Sequence, residues 1–106
     1  MPFSLPLMIA NTSILRAKPG YDRAIREALL DLAESVRDEE SATIEFRIVQ
    51  DRNEPTVFTV IGRFADQAAL DAHNNSDRMN RFLWAAKQML DGPITLSIGE
   101  EIFVKA

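Results

Sequence analysis

Along this 106-residue chain the spacing of apolar residues switches repeatedly between a period of two and one of about 3.6, and the order of those switches narrows the fold sharply. Met8 to Ala17 reads as a strand, with Ile9 and Leu15 on one parity and Met8 and Ile14 on the other. Pro19-Gly20 breaks it. From Asp22 the apolar residues Ile25, Ala28, Leu29, Leu32, Ala33 and Val36 recur at three and four, predicting a long amphipathic helix that ends near Asp38-Glu39-Glu40. Ala42, Ile44, Phe46 and Ile48 then alternate with polar residues as a second strand. The turn Asp51 to Pro55 leads into a third, Thr56 to Phe64, so the two form a hairpin.

Asp66 is placed to cap a short helix running through His73, and Asn75 or Ser76 to cap a second with Met79, Phe82, Leu83, Ala86, Met89 and Leu90 as its apolar face. Gly92-Pro93 stops that helix, and Ile94 to Val104 alternates as a last strand with Gly99 as a bulge. Strand, helix, strand, strand, helix pair, strand is the ferredoxin-like split βαβ pattern: an α+β fold with an antiparallel four-stranded sheet. Residues 1–106 are read as one domain, with 1–7 as an N-terminal arm. Helices cover one face of such a sheet. The strands are apolar on both parities, and an apolar second face left in water would exceed what soluble monomers usually carry. A homodimer with sheets packed face to face is therefore expected.

Composition removes several function classes. With 12 basic against 16 acidic residues and a net charge of −4, the chain lacks the basic surface of a nucleic-acid or anionic-membrane binder. It has no cysteine, which excludes disulfides, thiolate nucleophiles and thiolate metal sites. No run approaches the ~20 apolar residues of a membrane span. The start carries no basic segment or cleavage site, so a cytoplasmic protein is expected.

The join from the third strand to the following helix holds the chain's only histidine, His73. Histidine ordinarily exchanges protons near neutral pH, which suits general-base work, although a lone His at a helix end is as readily a packed, hydrogen-bonded residue. One His with no paired acids at ligand spacing makes no metal site. Asn11 and Ser13 share a strand face and are candidates to hydrogen-bond a ligand oxygen; the alternative puts them on the solvent or dimer face. Phe58, Val60 and Phe64, with Gly62 between them, form either an apolar floor for a flat ligand or plain core, and Phe82 on the later helix belongs with them. Trp84 lies opposite the apolar face of its helix, an arrangement that suggests contact with a partner subunit or the N-terminal arm. Arg78 and Arg81 are candidates to attract an acidic ligand.

Lys18-Pro19-Gly20 before the long helix, an apolar strand ending in Phe64, an acidic cap followed by Ala69-Leu70-Asp71-Ala72-His73, and the closing Gly92-Pro93 together resemble the antibiotic biosynthesis monooxygenase (ABM) domain over about residues 8 to 104. The resemblance implies a dimeric α+β barrel. It also implies a small phenol or quinol substrate, a cofactor-independent oxygenase with no metal or flavin, and His73 as base with Asn11 and Ser13 orienting the substrate oxygen. Other members are haem-degrading enzymes, an isomerase of a signalling sugar derivative, or proteins without known activity; the alternative readings are a non-catalytic dimeric module binding a small apolar molecule and an isomerase of a small hydroxyketone. Where members often carry a glutamate and, two positions later, a tryptophan, this chain has Gly62 and Phe64. Phe82, Leu83 and Lys87 surround the position of the haem ligand, which argues against haem.

Overall fold

The computed structural model describes residues 7–105; the N-terminal arm expected at residues 1–7 lies, except for Leu7, outside the described residues. The elements follow the predicted order: β1 (Ile9–Arg16), α1 (Asp22–Glu39), β2 (Thr43–Gln50), β3 (Val57–Phe64), α2 (Gln67–Asn74), α3 (Asp77–Ala86) and β4 (Thr95–Glu100). The four strands form one antiparallel sheet in the order β2-β3-β1-β4, and the three helices lie over one of its faces.

Local chemistry explains most boundaries. Gly20 has φ of 87°, a left-handed conformation that glycine adopts without strain, and it turns the chain from β1 into α1. Asp22 in the first turn of α1 and Arg37 in the last oppose the helix dipole favourably. Asp51 Oδ2 accepts from the backbone N–H of Asn53 and Glu54 at 3.0 and 2.8 Å, which closes the β2–β3 turn. Asp66 caps α2 by accepting from Ala69 N–H at 2.8 Å. Of the two residues expected to cap α3, Ser76 does so, accepting from Met79 N–H at 3.1 Å.

The helix-facing parity is Ile9, Asn11, Ser13 and Leu15 on β1 and Phe58, Val60, Gly62 and Phe64 on β3. Leu15 and Phe58 pack with Ile25, Leu29, Leu32 and Val36 of α1 and with Phe82 and Ala86 of α3, forming the main core. Phe64, Ala69 and Leu70 form a second cluster against Ile9. Fully burying such side chains contributes about 1.5–3 kcal/mol each.

Four local expectations are corrected. Ile44 was expected to face inward with Phe46 and Ile48, but a register shift between Thr43 and Glu45 puts it out of phase and leaves it exposed. Gly99 makes no bulge, since β1 and β4 pair without interruption from Ile9↔Glu100 to Ile14↔Thr95. The last strand ends at Glu100, short of Val104, once Glu101 N–H has bonded to the Met8 carbonyl. Similarly, α3 stops at Ala86, and Met89 and Leu90 reach the core from the turn that follows it.

Candidate functional site

Between the upper half of the sheet and the helix pair lies a cavity of about 320 Å³. Its floor comes from three adjacent strands: Asn11 pairs with Gly62, which pairs in turn with Phe46, and Ser13 pairs with Val60. Gly62 has no side chain, and the Phe64 ring occupies the space where its Cβ would stand. His73 and Asn74 of α2 and Met79 and Leu83 of α3 roof it, and Ile94 and Leu96 close the side toward β4. Leu83 and Leu96 remain 42% and 56% exposed, so the cavity opens between α3 and β4.

Two polar groups stand out in this apolar lining. Asn11 is buried, and its amide oxygen has no hydrogen-bond partner among the described residues. Buried amide oxygens are nearly always partnered, and an orphan costs about 1–3 kcal/mol. His73 is only 3% exposed. Its ring lies between Phe64 and Phe46, at centroid distances of 5.1 and 5.5 Å, and its carbonyl accepts from Ser76 Oγ at 3.0 Å. Nδ1 is 2.6 Å from Glu40 Oε1, at the end of α1, and this leaves Nε2 as the nitrogen available to a ligand. Glu40 is the site residue that sequence reasoning missed.

Asn11, Ser13, Val60 and His73 thus come together around one cavity. Phe58, Phe64 and Phe82 do not line it. Phe58 and Phe82 belong to the main core, and the Phe64 ring lies over Gly62 on the helix side of the sheet, packed with Ala69 and Leu70. The wall aromatic at the cavity is Phe46.

A model of the family described as antibiotic biosynthesis monooxygenase matches residues 8–83. The chain belongs to the antibiotic biosynthesis monooxygenase family. No curated protein sequence matches it. Among solved structures, PA3566 from Pseudomonas aeruginosa is 22% identical, covers 95% of this chain and 100% of its own, and superposes with a TM-score of 0.85. NE2512 from Nitrosomonas europaea, a protein of unknown function, is 26% identical over 97% of both chains, with a TM-score of 0.83. Rv0793 from Mycobacterium tuberculosis is 15% identical over 93% of this chain and 99% of its own, with a TM-score of 0.85. These likenesses establish the ABM fold.

In this ABM chain a second, open cleft of about 470 Å³ is walled in part by His73 and Glu40, and Arg78 and Arg81 line it together with Glu39 and Asp77. Arg78 donates to the Asp31 carbonyl at 3.2 Å, so one of the two expected anion-attracting groups tethers α3 to α1. Trp84 stands exposed on the outer side of α3. Among the described residues no group of three His, Asp or Glu side chains is arranged to hold a metal, and no helix is long and apolar enough to cross a membrane.

Proposed function

We propose that this ABM-family chain is a cofactor-independent monooxygenase acting on a small phenol or quinol held in the Asn11–His73 cavity. The observation that carries the reading is the pairing, in one small apolar space, of an unpartnered amide oxygen with a buried imidazole. A phenolic substrate supplies what both lack. One hydroxyl donates to Asn11 Oδ1, with Ser13 alongside, and another hydroxyl gives its proton to His73. The resulting phenolate is electron-rich enough to pass an electron to dioxygen. The phenoxyl radical and superoxide combine at a ring carbon that bears hydrogen, and the peroxide anion takes the proton back from the His73 imidazolium. The hydroperoxide loses water as its O–O bond breaks and that carbon gives up its hydrogen, leaving one atom of dioxygen as a carbonyl. The volume is at the small end of ligand pockets, about 300–1,000 Å³, and fits one ring system. Apolar walls keep bulk water from the anion.

A second reading, a non-catalytic module that binds a small apolar metabolite, is favoured by Gly62. A carboxylate there, which the family resemblance implies for other members, would need the Phe64 ring to move. Aerobic incubation with a hydroquinone panel separates the two. The oxygenase takes up oxygen and loses at least about 100-fold in rate in His73→Ala. Uptake equal in both proteins would remove His73 from the chemistry; no uptake, with a small molecule retained in the native mass spectrum, would establish the binding module.

We further infer that two copies associate through the uncovered face of the sheet. That face presents Ile14, Val49, Val57 and Ile61 to solvent in a single chain.

A further inference from the structure

Glu40 is built into the site more firmly than the end of a helix requires. It is the residue at which α1 gives way to the turn into β2. Its N–H donates to the Val36 carbonyl and its own carbonyl accepts from Thr43 N–H, both at 3.1 Å. Its side chain is held as well: Oε1 accepts from Thr43 Oγ1 at 2.8 Å, and the same oxygen faces His73 Nδ1 at 2.6 Å. The carboxylate side chain is only 15% exposed. Removing a carboxylate from water costs stability unless hydrogen bonds replace the lost hydration, and here both replacements converge on the oxygen turned toward the imidazole. On the other side, Ser76 Oγ holds the His73 carbonyl and two phenylalanines flank the ring. Neither partner of the pair is free to swing away.

We propose that Glu40 is the positioning residue of this site, fixing neutral His73 in the tautomer that carries its hydrogen on Nδ1 and a bare lone pair on Nε2. The opposite tautomer would set the Nδ1 lone pair against a carboxylate oxygen at hydrogen-bond distance, a repulsive contact. Resting on the reading of His73 as the base, the consequence is chemical. The substrate O–H bond breaks, its proton goes to the Nε2 lone pair, and the imidazolium so formed already has its counter-charge in place. With Glu40 absent, nothing on this side of the ring favours the hydrogen at Nδ1, and the lone pair is lost from the position that faces a ligand.

Because the chain has a single histidine, the test can be run without knowing the substrate. Full-length protein labelled with ¹⁵N at histidine, at a pH high enough to keep the ring neutral, gives one pair of ring-nitrogen signals. The expected result is a protonated, pyrrole-like Nδ1 and a bare, pyridine-like Nε2. Glu40→Ala should exchange the two, and Glu40→Gln, whose amide oxygen still accepts, should restore them. A pyridine-like Nδ1 in the unmodified protein overturns the proposal without any variant, and so does an unchanged spectrum in Glu40→Ala. With hydroquinone as the probe, Glu40→Ala should lower kcat by about ten-fold or more with KM within about two-fold, and Glu40→Gln should recover part of it. Equal kcat in Glu40→Ala and the unmodified protein overturns the catalytic consequence. The expected tautomer without oxygen uptake by the unmodified protein removes the oxygenase reading and leaves the assignment of Glu40 standing.

Discussion

At Gly62 the ring of Phe64 packs directly against the helix-facing side of the backbone: a Cβ there would stand 2.8 Å from Cε2 and 2.9 Å from Cζ, well inside van der Waals contact. Phe64 cannot yield easily, because it is fully buried and its far side is packed against Leu70, Ala69 and the His73 ring. Adding one methyl group should therefore behave as overpacking. Gly62→Ala is expected to lose about 1–3 kcal/mol of stability in urea unfolding and to shift the histidine ring signals, since displacing Phe64 displaces its neighbour. An unchanged unfolding midpoint would show that the ring has room to move. The sequence suggested that this glycine leaves space beside phenylalanines, and the alternation of the strand was enough to see it. The same alternation was silent on where the ring turns, so Phe64 looked like cavity floor when its ring packs over Gly62 and against α2. Glu40 was illegible for a different reason. It is separated from His73 by 33 residues, and the two meet only because α1 and α2 end at the same place over the sheet. No spacing rule reaches across that distance.

Features decided within a few residues were readable at the level of elements. The Asp66 and Ser76 caps each bond to an N–H three residues on, and the β2–β3 turn is closed by its own aspartate. Features decided by a neighbouring strand were not: the bulge that rotates Ile44 outward and the early end of β4 depend on pairing partners. One such tie makes its own prediction. Arg63 of β3 donates to Glu45 of β2 at 2.9 Å and, through two nitrogens, to Glu101 just past β4 at 2.8 and 2.9 Å, joining one edge of the sheet to the other. Hydrogen bonds from that guanidinium hold the Glu101 and Glu45 carboxyls below the usual carboxylate range. Groups held low when folded bind protons more readily when unfolded. Their stabilisation is therefore complete above the unfolded carboxylate range, roughly pH 4–4.5, and drains away as the pH falls through the lower folded values. Arg63→Met should accordingly be less stable than the unmodified protein at pH 7, with the gap closing as the pH falls below the ordinary carboxylate range. Urea midpoints measured across that range check it, and a constant gap at every pH would mean that the arginine acts through packing alone.

On the scale of the whole molecule the two faces of the sheet are unlike in a way that one copy does not resolve. One is covered by α1, α2 and α3 except along β4, where Leu96 and Ile98 stay exposed. The other presents Ile14 and Val49, 42% and 50% exposed, at either end of the paired row Ile14–Thr59–Val49, with Val57 and Ile61 beside them on β3. The charges on this face do not oppose burial, because Arg63, Glu45 and Glu101 already satisfy one another and would enter an interface as a hydrogen-bonded group. Ile14 is the informative position. It lies on β1, an inner strand of the sheet, and it is exposed in the single chain, so a polar replacement leaves the core of each copy alone. In a two-fold pair it would bring one carboxylate toward another in a drying interface. The unmodified protein is therefore expected to sediment as a dimer at micromolar concentration, and Ile14→Glu as a monomer with an unchanged helical circular-dichroism signal. A monomeric unmodified protein, or an Ile14→Glu variant that still pairs, would show that the face is covered by something other than its own copy.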